Sequence, residues 1–80
     1  MNYADDMWLY LVLQDKFKNT ILEHLSTSIY GQIVNNPKID NKYIIFNIDK
    51  FYEALSKAYY MYDKDKNIVE EALKIINELS

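Results

Sequence analysis

The chain has 80 residues, a formal net charge of −3, a hydrophobic share of 50% and an aromatic share of 15%. This length predicts one helical domain, residues 1–80, around one core. The chain has no cysteine and one histidine, which excludes disulfides and thiolate metal sites and predicts neither a metal nor a cofactor. All nine basic residues are lysines, so the composition disfavours a nucleic-acid-binding face built on arginine.

The first predicted element is a long helix that begins near Tyr3. Asp5 and Asp6 can cap its free amides and interact favourably with the positive end of its dipole. Apolar residues at four-residue spacing predict that this helix continues to Val34, and the alternative is an end near residues 26–28. The apolar stripe consists of Phe17, Ile21, Leu25 and Ile29.

A polar loop and a segment of β-like composition follow the first helix. Pro37 ends the helix, because proline lacks an amide donor and restricts the residue before it. Residues 43–48 are rich in isoleucine and aromatics, and Ile44, Phe46 and Ile48 would share one face of a strand. Three alternatives remain: a hairpin with residues 29–34, pairing with a second chain, or an extended buried connector.

Two further helices complete the prediction. One begins near Asn47 or Asp49 and ends near Tyr62, and residues 63–66 form a polar turn. Asn67 with Glu70 resembles a capping box and predicts the start of the last helix, whose apolar residues fill one arc. The predicted fold class is therefore mainly α: a small three-helix bundle with a long N-terminal helix and, as an alternative, a short strand or hairpin around residues 43–48.

The polar turn contains part of a calcium-loop pattern. Asp63, Asp65 and Asn67 occupy its first, third and fifth positions. The sixth position needs glycine and holds Ile68, and the twelfth needs glutamate and holds Lys74. We interpret the segment as a turn between helices and predict no metal site there.

Catalytic chemistry has little support in the sequence. His24 lies at the edge of the apolar stripe, where a histidine that packs its ring is the favoured interpretation. The adjacent acids at 5–6 and 70–71 diverge on helices, and a single glycine, Gly31, cannot form a phosphate-binding loop. We therefore predict that the protein is not an enzyme and assign no catalytic residue.

The segment Met7–Leu13 is apolar on every side of the first predicted helix. On a helical wheel Trp8 lies opposite Phe17, and Val12 lies close to Trp8. A helix that is apolar all round must be covered all round. Either the rest of the chain covers Trp8 and Val12, or these residues bind a second copy or another protein.

Tyrosines on the next helix form a second candidate surface. Tyr52 and Tyr59 lie at the rim of its apolar arc, and Tyr60 projects from the polar side. Tyrosine is enriched at interfaces because it combines a large contact area with a polar tip. The alternative is that each ring lies on the domain surface with its hydroxyl in water.

These observations predict a non-catalytic protein-binding regulator or inhibitor that acts by contact with a larger protein and forms a homo-oligomer. An immunity-type protein or an accessory protein of a phage or mobile element fits this description, since the codon-driven composition is typical of an AT-rich genome. The alternative function is binding or sequestering a small, nucleotide-like ligand in a tyrosine-lined pocket at a helix or dimer seam.

The sequence also bears on location. The longest apolar run has seven residues, far fewer than the roughly 20 that span a bilayer. Asp5 and Asp6 stand where a secretory leader carries positive charge. We therefore predict no membrane association and a cytoplasmic protein.

Overall fold

The computed structural model describes residues 3–62 and 67–79 of the chain, which contain five α-helices and a short 3-10 helix. No strand is found in these residues, so the prediction of a small, mainly α bundle is confirmed. The helices are α1 (Tyr3–Phe17), α2 (Ser26–Val34), α3 (Asn41–Phe46), α4 (Ile48–Met61) and α5 (Ile68–Leu79); the 3-10 helix (Glu23–Leu25) precedes α2.

The predicted long first helix is wrong, because α1 ends at Phe17 and a turn separates it from α2. The hydroxyl of Thr20 donates to the carbonyl oxygen of Phe17 at 2.7 Å, and the Thr20 amide donates to the same oxygen at 3.1 Å. Asn19 has φ 61°, a left-handed conformation that a right-handed helix cannot contain. The apolar stripe is thereby interrupted, and Ile21 is exposed.

The strand predicted for residues 43–48 is also wrong, since most of this segment forms α3. Asp40 caps the helix: its backbone is extended, and its carboxylate accepts a hydrogen bond from the Lys42 amide at 2.9 Å. Ile44 and Ile45 are buried in the core. The hairpin alternative fails as well, because residues 29–34 belong to α2.

The last two predicted helices agree with the structure. The prediction of a helix from Asn47 or Asp49 to Tyr62 matches α4, and the last helix matches α5. The side-chain oxygen of Asn67 accepts a hydrogen bond from the Glu70 amide at 3.2 Å, as expected of a capping residue. The predicted turn at 63–66, and with it most of the calcium-like pattern, lies outside the described residues.

The core lies where the five helices meet. The most extensive helix pair is α4 with α5, while α1 packs against α2, α3 and α4. This arrangement places α3 beside α1 and next to the start of α4. Each α-helix contributes buried apolar side chains, and so does the turn after α1, through Leu22. The largest buried side chains are Leu9, Leu13, Phe17, Leu22, Ile29, Ile33, Ile44, Phe51, Leu55 and Val69.

Candidate interaction surface

One side of α1 is apolar and exposed. The exposed fraction of the residue is 67% for Met7, 43% for Trp8 and 59% for Leu11. These three residues are neighbours on the helix surface, because residues three or four apart lie side by side. The opposite side of α1 carries the side chains that enter the core, which are Leu9, Leu13 and Phe17.

Phe46 extends this surface from α1 onto α3. Its ring meets the Trp8 ring edge to face, with centroids 5.7 Å apart and planes at 87°. Phe46 itself is 71% exposed. We call Met7, Trp8, Leu11 and Phe46 the outer apolar face; its members belong to two helices and are joined by the Trp8–Phe46 contact.

The structure distinguishes between the two residues predicted on α1. Val12 is half-buried and packs against the core, so it contributes little surface. Trp8 stays exposed although α3 packs beside α1. The 43–48 segment therefore covers part of α1, as one alternative expected, but it adds Phe46 to the exposed surface rather than enclosing Trp8.

Tyr52 lies in the contact between α1 and α4 and is half-buried there. Its ring is tilted by 42° against that of Phe17, with centroids 5.7 Å apart. The Lys16 ammonium lies 5.6 Å from the centre of the same ring and forms an ion pair with Asp49 at 2.5 Å. These contacts make Tyr52 part of the packing between the two helices.

Tyr59 and Tyr60 lie together toward the end of α4, apart from Tyr52. Their rings meet edge to face with centroids 5.7 Å apart. Tyr59 is half-buried and packs against the core, whereas Tyr60 is 74% exposed and is followed by the exposed Met61. The three predicted tyrosines therefore differ in exposure: Tyr52 and Tyr59 take part in packing, and Tyr60 is the exposed one.

Few charges border the outer apolar face. On α1, Asp5 precedes Trp8 by three residues and Asp15 follows Leu11 by four; on α3, Lys42 precedes Phe46 by four. Asp15 is itself 3.8 Å from the Lys18 ammonium. The border thus carries both signs of charge, and apolar contact area is the main property that this face offers to a partner.

Within residues 5–62 and 67–78, few side chains are arranged in a way that could support catalysis or metal binding. Over this part of the chain no cluster of three histidine, cysteine or acidic residues could hold a metal ion, and no polar side chain is fully buried. His24 is exposed in the 3-10 helix. Its predicted place beside an apolar stripe is wrong, because the stripe required a continuous helix.

The comparisons with known proteins give no functional information. No protein-family model matches the chain, and no significant match was found among curated proteins or among solved structures. Within the described residues, none of the helices combines the length and apolar character needed to cross a membrane.

Sequence reasoning missed Phe46 as a surface residue. Assigned to a strand, Phe46 shares a face with Ile44 and is directed inward. In a helix, Ile44 and Ile45 share the buried side and Phe46 is turned outward. The signal that could have found it is Asp40, a capping residue directly before Asn41–Phe46.

Proposed function

We propose that this protein is a non-catalytic regulator or inhibitor that binds a larger protein through the outer apolar face. The observation that carries the proposal is the exposure of Met7, Trp8, Leu11 and Phe46 on one continuous surface. Single exposed apolar residues are common on soluble proteins, but a contiguous group is typical of interaction sites.

The residue types support a protein partner. Aromatic residues and methionine are enriched in the centres of protein interfaces, and tryptophan is frequent among the residues that dominate binding energy. The face has one tryptophan and one phenylalanine already in contact, so their relative orientation is set before binding. Preorganisation of this kind lowers the entropic cost of association.

The net charge indicates what kind of protein would bind. With a net charge of −3, the chain is attracted at long range to a basic target. A small acidic domain of this kind would inhibit by covering a functional site on that target. An immunity-type or phage-encoded role and a cytoplasmic location remain part of this proposal, and self-association is the alternative use of the same face.

The test is capture of a partner by the immobilised full chain from a lysate of the source cells, repeated with two matched variants. Leu11→Gln with Phe46→Gln removes two apolar groups from the outer apolar face. Ile21→Gln with Met61→Gln removes two exposed apolar groups from elsewhere. We expect the first pair of substitutions to abolish capture and the second to leave it intact, with both variants showing the circular dichroism spectrum of the original chain.

Mass measurement of the pure protein by light scattering completes the experiment. A monomer that captures one protein in a fixed ratio supports the proposal. A stable dimer that the Leu11→Gln and Phe46→Gln substitutions dissociate, without any captured protein, would assign the outer apolar face to a second copy. If Tyr60→Ala abolishes capture and the Leu11→Gln and Phe46→Gln substitutions do not, the binding surface lies at the end of α4 instead.

A further inference from the structure

A cleft of about 220 Å³ lies between α4 and α5, with Tyr43 of α3 in its lining. Three of its lining residues are apolar: Ala54 and Ile76 are buried, and Ile75 is half-buried. None of the four residues of the outer apolar face lines it. The cleft is therefore a site distinct from the outer apolar face.

The exposed lining of the cleft is polar and carries a net positive charge. It consists of Tyr43 from α3 and Lys50, Glu53 and Lys57 from α4. Two lysines and one glutamate give a formal charge of +1. An anion that enters the cleft would therefore lie close to a net positive charge and to the apolar side chains of Ala54, Ile75 and Ile76.

Lys50 and Lys57 are seven residues apart in α4, which places them on the same face about 10.5 Å apart along the helix axis. Glu53 lies between them on this face, and both lysine side chains are long enough to extend past it toward an anion in the cleft. In the described part of the chain neither lysine has a carboxylate within ion-pair distance, and the three ion pairs found there use Lys16, Lys18 and Lys74.

We propose that this cleft binds a small organic anion, with its negative group between Lys50 and Lys57 and its apolar body against Ile75 and Ile76. Lysine ammonium groups bind carboxylates and phosphates through charge-assisted hydrogen bonds. Tyr43 also lines the cleft, and a tyrosine side chain offers both an aromatic ring and a hydroxyl to a ligand. The anionic group is a carboxylate or a phosphate monoester, since both present negatively charged oxygens to the lysine ammonium groups.

The volume limits the size of the ligand. Sites that enclose drug-sized molecules occupy roughly 300–1,000 Å³, and this cleft is smaller. A single ring or a short aliphatic chain with one anionic group matches this volume better than a whole nucleotide does. The cleft therefore favours a ligand smaller than the nucleotide-like molecule expected from the sequence.

The experiment is a titration of the ¹⁵N-labelled full chain, monitored by nuclear magnetic resonance, with benzoate and with phenyl phosphate. Benzyl alcohol serves as the uncharged ring, and inorganic phosphate serves as the anion without a ring. We expect saturable shifts of the amides of residues 50–57 and 75–76. Of benzoate and phenyl phosphate, the one that binds more tightly should bind roughly tenfold more strongly than benzyl alcohol or inorganic phosphate. The reason is that it contacts both the lysines and the apolar residues of the cleft, whereas each control compound contacts one of these two groups.

Charge variants test the same cleft from the protein side. Lys50→Gln with Lys57→Gln should weaken binding roughly tenfold, since the ammonium groups that hold the anion are lost. Glu53→Gln should strengthen binding, because it removes the one negative charge of the lining. Lys18→Gln with Lys38→Gln changes the net charge by the same amount outside the cleft and should leave the affinity unchanged.

The relative affinities of the four compounds and of the variants decide whether the cleft binds an organic anion. Stronger binding of phenyl phosphate assigns a phosphate monoester, and stronger binding of benzoate assigns a carboxylate. The proposal is overturned by equal affinity for benzyl alcohol, by equal affinity for inorganic phosphate, or by shifts that do not saturate. The proposal is also overturned if the Lys50→Gln, Lys57→Gln variant and the Lys18→Gln, Lys38→Gln variant lose the same affinity for the anion. The attraction would then come from the net charge of the protein and not from the cleft.

Discussion

The ring of Trp8 meets the ring of Phe46 edge to face at a centroid distance of 5.7 Å, and both residues nevertheless remain exposed to solvent. Aromatic contacts between helices usually contribute to a core. This contact instead joins α1 and α3 at the surface, where it presents a combined aromatic area. The same two residues therefore link α1 to α3 and offer apolar area to a partner.

A double-mutant cycle should detect this contact. We expect Trp8→Ala and Phe46→Ala to be coupled by about 0.5–1.5 kcal/mol in the free energy of unfolding, the range for aromatic pairs beyond their burial. Urea unfolding of the two single variants and the double variant provides the measurement. A coupling of zero would show that the rings do not interact in solution.

The two sides of α1 should respond differently to the same truncation. Leu9 is fully buried, so Leu9→Ala should lower the free energy of unfolding by about 2–5 kcal/mol through lost burial and a new cavity. Leu11 is exposed on the outer apolar face, so Leu11→Ala should change it by less than about 0.5 kcal/mol. Urea midpoints at a constant m-value give both quantities, and similar losses would contradict the orientation of α1.

The turn after α1 depends on the left-handed backbone of Asn19. Asn19→Ala should lower the free energy of unfolding by about 1 kcal/mol, because a residue with a Cβ atom and no side-chain amide is strained at φ 61°. Asn19→Gly should be close to neutral or stabilising, since glycine adopts this conformation freely. Thermal unfolding of the two variants and the original chain tests this order of stability. An Asn19→Ala variant more stable than the original chain would favour the continuous helix predicted from the sequence.

Asp40 should be needed for α3. Asp40→Ala removes the acceptor for the Lys42 amide and should lower the free energy of unfolding by about 0.5–2 kcal/mol, whereas Asp40→Asn should retain most of the cap. Trp8 is the only tryptophan in the chain and contacts Phe46 of this helix, so its fluorescence reports on α3. An unchanged emission spectrum and stability in Asp40→Ala would show that the cap is dispensable.

The sequence predicts α4 and α5 well because their apolar residues follow one helical period and polar residues fill the rest. It fails between Phe17 and Ser26 because two local features outweigh the apolar spacing. One is the Thr20 hydroxyl, which hydrogen-bonds to the Phe17 carbonyl, and the other is the left-handed Asn19. Such side-chain competition for backbone groups is invisible to a periodicity argument.

The candidate surface was predictable only in part, for a related reason. Trp8 and Phe17 both lie in α1, so the prediction that they face opposite sides agrees with the structure. Phe46 could not be placed, since a run of consecutive apolar residues is compatible with a strand and with a helix. Packing of Ile44 and Ile45 into the shared core, together with the Asp40 cap, decides in favour of the helix.

Asn47 is at once the residue that ends α3 and the residue that precedes α4. Its side-chain amide donates to the Tyr43 carbonyl at 2.9 Å, and its own carbonyl accepts from the Phe51 amide at 2.9 Å. Asn47 is the only residue between α3 and α4, so no loop separates the two helices. Phe46 and Tyr43 belong to this one short helix, so a partner that displaced α3 at Phe46 would also displace a residue of the cleft lining.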